Sequence, residues 1–220
     1  MTPVDRRTLL RGIAGTGVLL GVGLSVGVAA AQQASATALL PISSCDDWGA
    51  RPPAGTPVVV NSPAARILVH HTVMDDTPDT TREQAYTLAR DIQNLHMDTN
   101  GWLDTGQHFT NSKAGFLMEG RHGSLDALRA GDHMIQGAHC PGQNSVAIGI
   151  ENQGNYMDVE PSVDLWQSLV SLCVVVCQQY GVPATEIYGH RDYLSTTQCP
   201  GDKLYAQLPR LRSEVAAVLG

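Results

Sequence analysis

Short apolar runs alternate along the chain with amphipathic stretches, and the two periods separate strands from helices. Arg66-Ile67-Leu68-Val69-His70-His71-Thr72 is an apolar, β-branched run that ends in polar residues, which predicts a buried strand. Residues 82–97 put Ala85, Leu88, Ala89, Ile92 and Leu95 at helical spacing, and Asn100-Gly101 predicts a turn beyond them. Gln107–Thr110 and Phe116–Glu119 read as two short strands with Gly115 in their connection. Val146-Ala147-Ile148-Gly149-Ile150-Glu151 is another buried strand. Pro161 opens a second helix that runs to about Tyr180, with Leu165, Leu169, Leu172 and Val176 on its apolar face and Gly181 as its C-terminal stop. Ile187-Tyr188 is a short strand, and a third helix over about 203–218 carries Leu204, Leu208, Leu211, Val215 and Val218 on one side. Strands interleaved with three helices predict one α/β domain with a central sheet. No internal repeat is visible.

Composition narrows the class. The chain has 220 residues, 43% of them apolar, which suits a packed domain and argues against disorder. The formal net charge is −7 and no Lys/Arg-rich run occurs, so no nucleic-acid partner is expected. Arg6-Arg7 precedes a mildly apolar, Gly-rich stretch from Ile13 to Ala31, and small residues follow at Ala29-Ala30-Ala31 and Ala34-Ser35-Ala36. This is the pattern of a twin-arginine export signal over residues 1–36. The other reading, a membrane anchor, is weakened by five glycines in the apolar run. Residues 37–47 read as a linker and 48–220 as the domain. Without residues 1–36 the basic count falls from 14 to 11 and the acidic count from 21 to 20, a net charge of −9. The expected product is an exported monomer, extracellular, periplasmic or wall-associated, with no stable membrane partner once the signal is gone. Five cysteines are present: Cys45, Cys140, Cys173, Cys177 and Cys199. Cysteines of exported proteins tend to pair, and an odd number leaves one that a metal would account for. Cys173 and Cys177, four apart on one helix, are poorly placed to pair with each other.

Two segments carry candidate chemistry: His70-His71-Thr72 at a strand end, and Gly189-His190-Arg191-Asp192 followed by Cys199-Pro200-Gly201. Catalytic Zn²⁺ takes three protein ligands and keeps a fourth position open, which two histidines and one thiolate satisfy. Successive strand residues face opposite ways, so only one of His70 and His71 can face a metal. A single histidine or cysteine is more often structural, and the His190-to-Cys199 spacing alone does not establish a metal site.

The sequence resembles the type 2 N-acetylmuramoyl-L-alanine amidases and the peptidoglycan recognition proteins. The matching blocks are Val69-His70-His71-Thr72, Asn100-Gly101-Trp102, Glu119-Gly120-Arg121, Gly137-Ala138-His139, Ile148-Gly149-Ile150-Glu151, Gly154-Asn155-Tyr156 and Gly189-His190-Arg191-Asp192, in order, between Trp48-Gly49-Ala50 and Pro200-Gly201. The resemblance implies a mixed β-sheet packed by about three helices, one Zn²⁺ per chain on His70, His190 and Cys199, and hydrolysis of the bond between N-acetylmuramic acid and L-alanine in peptidoglycan or muropeptides. It implies Glu151 as general base, with Thr197 assisting the transition state. Trp102, Gln107, His108 and His139 are candidate substrate contacts. It also implies a Cys45–Cys173 disulfide, with Cys140 and Cys177 paired or free. Two departures stand out: many relatives have a tyrosine where this chain has Gln107, and the His190-to-Cys199 segment looks one residue longer, at Leu194 or Ser195. Glutamine is no acid, although its amide can donate to an oxyanion. The alternatives are a non-catalytic peptidoglycan-binding protein of the same fold and, less well supported, a metal-free hydrolase with Cys199 as nucleophile.

Overall fold

A computed structural model describes residues 40–74 and 77–220. The export signal read in residues 1–36 lies outside the described residues. The domain is built on a six-stranded mixed sheet: β1 (Ile42–Ser43), β3 (Arg66–His71), β4 (Phe109–Asn111), β5 (Leu117–Glu119), β7 (Ala147–Asn152) and β8 (Ile187–Gly189). Their order across the sheet is β1-β5-β4-β7-β3-β8, and every neighbour is parallel except β4 with β5. A separate two-stranded ribbon pairs β2 (Val59–Val60) with β6 (Met134–Ile135). The helices are α1 (Cys45–Trp48), α2 (Arg82–Asn94), α3 (Ser124–Ala130), α4 (Val163–Tyr180), α5 (Asp202–Ala206) and α6 (Leu208–Leu219).

The two-residue period of the strands divides the molecule. Ile67, Val69, Phe109, Leu117, Ile148 and Ile150 share the main core with Leu165, Leu169, Leu172 and Val176 of α4 and Leu211 and Val215 of α6. Burying each such leucine is worth about 2 kcal/mol. The intervening residues face the other side, where Met118 packs against Trp48 and against Ala85 and Ala89 of α2. The ends of α4 follow the expected chemistry: Ser162 Oγ accepts from Leu165 N–H, and Gly181 closes the helix in the left-handed conformation with φ +70°.

Three expectations are corrected. Residues 42–47, read as linker, are part of the fold: β1 pairs with β5, and Ser44 caps α1 with a reciprocal Ser44–Asp47 capping box. The third helix is two helices. Pro209 has no N–H for the Tyr205 carbonyl and its ring would clash there, so the chain turns at Gln207 and restarts with Pro209 in the first turn. The Cys45–Cys173 disulfide is absent, and all five cysteines are free thiols. Cys45 belongs to the cluster around Trp48 and Met118, Cys173 to the α4 core across the sheet, so no short bridge can join them. The first helix also ends differently, passing at Leu95–Thr99 into a π-helical turn that carries His96.

If residues 42–48 belong to the fold, Ser44→Ala should cost about 1 kcal/mol through the lost cap. Urea unfolding measures this, and an unchanged midpoint would mean that the segment is a linker after all.

Candidate metal centre

Strand β3 ends beside the site. His70 is 5% exposed, on the sheet face away from the α4 core. Its Nδ1 lies 3.6 Å from Cys199 Sγ, and its ring centroid is 4.6 Å from that of His190. One ligand atom from each of His70, His190 and Cys199 fits within 4.8 Å of the others. His71 points the other way, as alternation requires: its Nδ1 accepts from Tyr156 N–H while its own backbone N–H donates to Cys199 Sγ at 3.4 Å.

The loop that carries the other two donors is fastened from several sides. Arg191 donates through its guanidinium to the Gln198 carbonyl and Asp202, and through its backbone N–H to the Cys199 carbonyl. Asp192 accepts from Gly189 N–H and from Tyr205 Oη. Gly201, at φ +90°, lies so close to Tyr156 that a Cβ there would meet its carbonyl carbon at 2.4 Å. A helix–strand framework thus holds Cys199 against the end of β3, although 129 positions separate it from His70.

This donor set suits zinc. His190 Nε2 is buried without a hydrogen-bond partner among the described residues, an arrangement that is costly unless a ligand completes it. Two imidazoles and a thiolate are the nitrogen and sulfur donors that Zn²⁺ takes. Burial pushes the Cys199 thiol up to about 12, partly offset by the His71 N–H, so without a cation the sulfur keeps its proton. Burial likewise holds His70 well below the ordinary imidazole range, so its nitrogen is unprotonated and free to donate a lone pair.

A groove of about 270 Å³ opens over these atoms. His70, His190, Cys199, Glu151, Thr197, Gln107, Trp102 and His139 all border it, so the fold gathers eight of the nine candidate site residues. Glu151 pairs across the sheet with both His70 and Thr110, which puts its side chain on the same face as theirs. Burial pushes its carboxyl up to about 8. Thr197 Oγ1 accepts from Cys199 N–H, leaving its hydroxyl proton to the groove. Gln107 Nε2 donates to Thr110 Oγ1, and its Oε1 has no partner among the described residues. Trp102 packs on Gly106, where a Cβ would meet the ring at 2.6 Å, and leans against His96.

His108 is the exception. It is fully buried, with Nδ1 accepting from Gly149 N–H and Nε2 bound to the Ile135 carbonyl, so it is a strut and not a substrate contact. Sequence reading missed His96, which borders the groove and accepts from Gly106 N–H through Nδ1. It lies near the end of the helix expected over 82–97, where a single histidine carries no motif of its own.

Metal analysis of the purified protein should find near one zinc per chain, and Cys199→Ala should lower zinc affinity at least about tenfold while far-UV circular dichroism is kept. Full zinc retention in the variant would remove Cys199 from the site. The histidines should titrate in opposite directions. Burial pushes His108 down to about 4, whereas the carboxylate of Asp104, 2.9 Å away, raises His122. An unfolded His108 takes a proton near 6.5, so its contribution to stability, roughly 3 kcal/mol at most, is present above that pH and lost as pH falls toward 4. The His122 contribution has the opposite sign: complete below about 6.5, it is lost as pH rises through the raised folded value. NMR titration of the zinc-free protein reads both, and a His108 midpoint near 6.5 would contradict the buried environment.

The N-acetylmuramoyl-L-alanine amidase family profile matches residues 60–202. The human N-acetylmuramoyl-L-alanine amidase is 32% identical over 72% of this chain. Peptidoglycan-recognition protein LB of Drosophila melanogaster is 31% identical over 75% of it. The chain spans about a quarter (26%) of the human protein's length and 66% of the fly protein's. Among solved structures, a mutant of Drosophila peptidoglycan-recognition protein LB in complex with tracheal cytotoxin superposes with a TM-score of 0.66 at 27% identity, covering 76% of this chain and 92% of that one. The profile match over residues 60–202 and the 32% identity to the human protein show that the chain belongs to the N-acetylmuramoyl-L-alanine amidase family.

Proposed function

We infer that this protein is a zinc-dependent hydrolase of the amide bond between N-acetylmuramic acid and the L-alanine of the peptidoglycan stem peptide. The observation that carries the reading is the convergence of His70, His190 and Cys199 on a groove that also contains Glu151. All three donors that the resemblance implies for zinc are present and close together here. The similar fly structure holds tracheal cytotoxin, a peptidoglycan fragment, which supports a muropeptide in the groove.

When bound, zinc supplies Lewis acidity that polarises an amide carbonyl and makes water acidic enough to attack near neutral pH. His70, His190 and Cys199 would hold the ion. Glu151 is the proton carrier: its ionised carboxylate can take a proton from attacking water, and burial, by raising its affinity for that proton, suits it to hold the proton until it returns to the leaving amine of L-alanine. Thr197 is placed to donate its hydroxyl to the developing oxyanion. Gln107 offers in the same wall a carbonyl oxygen with no partner among the described residues, suited to an N–H of the substrate. Trp102 presents a ring on which a sugar can stack. The substrate lies outside the cytoplasm, which is where the export signal read in residues 1–36 would deliver a monomeric enzyme.

The second reading is a recognition protein that binds wall without cutting it. Gln107, in place of the tyrosine of many relatives, favours it. Residues 37–220 incubated with purified peptidoglycan separate the two. The amidase reading expects new L-alanine amino termini, and Glu151→Gln should lower kcat by about 10²–10⁴-fold with zinc content unchanged. Zinc uptake and wall retention without any new amino terminus would establish recognition alone.

A further inference from the structure

We propose that His139 is a positioning residue: it locks His70 in the one tautomer that presents a lone pair at Nδ1 to the metal. This inference rests on the zinc reading of the site. It follows from tracing donors and acceptors outward from the backbone. The carbonyl of Ala147 can only accept, and it lies 3.2 Å from His139 Nε2, so that nitrogen carries the proton. His139 Nδ1 is then an acceptor. It sits 3.0 Å from His70 Nε2, which must therefore carry a proton. Neutral His70 has one ring proton, so Nδ1, the nitrogen facing Cys199 Sγ, is bare. Metal-bound histidines usually donate their second nitrogen to a carboxylate, a carbonyl or water. Here a second, neutral imidazole fills that position.

The surroundings are shaped to hold this ring. A Cβ on Gly137 would lie 2.6 Å from His139 Cδ2, and one on Gly149 would lie 2.7 Å from its Cγ. The ring therefore occupies a slot that two glycines keep open. His108 braces the same slot: Gly149 N–H donates to its Nδ1, its Nε2 donates to Ile135, and its ring meets His139 edge-on at 5.4 Å. Asn144 fixes the backbone, with Oδ1 accepting from His139 N–H and Cys140 N–H. The sequence blocks Gly137-Ala138-His139 and Ile148-Gly149 thus act together, the second clearing space for the ring of the first.

The test begins on the zinc-free wild-type protein. ¹⁵N-edited NMR at neutral pH should show His70, His139 and His108 all protonated at Nε2. An Nδ1–H tautomer at His70 overturns the proposal, whatever the protein does with zinc. Zinc affinity, measured by chelator competition, should fall about 10–100-fold in His139→Leu, which has no acceptor for His70. His139→Asn places an amide oxygen near the lost Nδ1 and should bind zinc within a few-fold of wild type. Circular dichroism checks that both variants are folded. Wild-type affinity in folded His139→Leu also overturns the proposal. If the wild type takes up no zinc, the metal reading fails and the NMR alone decides the lock.

Discussion

The structure depends on one ladder, the six-residue parallel pairing of β3 with β7 at the middle of the sheet. Both strands are covered on both faces, as parallel strands must be, and their side chains take opposite duties on the two sides. Ile67, Val69, Ile148 and Ile150 share one core with the buried faces of α4 and α6. Leu68, His70, Gly149 and Glu151 face the other way. The register that opposes His70 to Glu151 therefore places a candidate metal ligand beside the proposed proton carrier. A slip by one residue would turn every one of these side chains to the wrong face.

Around that ladder several buried polar groups are held by hydrogen bonds that tie elements together. Asn152, fully buried, donates to the His70 carbonyl and accepts from Asn111. Glu119 receives backbone N–H groups of both Cys45 and Leu125, and so ties β1 and α1 to α3. Arg121 donates to the carbonyls of Thr105 and Gln136. Of the buried side-chain atoms without a hydrogen-bond partner among the described residues, His190 Nε2 and Gln107 Oε1 belong to residues that border the groove. Buried polar atoms without partners are costly, and two of them bordering one cavity point to what enters it.

The free cysteines show where resemblance and geometry part. Pairing is expected of exported domains because a cross-link restrains the unfolded chain. Here α4 is buried nearly all round, with Cys173 and Cys177 filling core volume as small apolar groups. The N-terminal segment is held by the Ser44 capping box, the β1–β5 pairing and the bond from Trp48 Nε1 to the Glu119 carbonyl. No covalent tie is needed to dock it.

The sequence by itself determined the long elements and the donor types. The apolar runs over 66–72 and 146–151, the helical apolar spacing over 82–97 and 161–180, and the blocks around His70, His190 and Cys199 are local patterns, and local patterns survive in one dimension. Two-residue strands such as β1, β2 and β6 carry too few positions for any period, and the break at Gln207 depended on one proline inside an otherwise good helical pattern. Alternation says only that one of His70 and His71 must face Cys199; the resemblance named His70, and the tertiary structure brings that ring to the sulfur. It also decided that His108 is a strut and His139 a neighbour of the metal ligand. Both follow from backbone carbonyls and glycines that reach those rings from other strands and loops, through contacts between residues far apart in the chain.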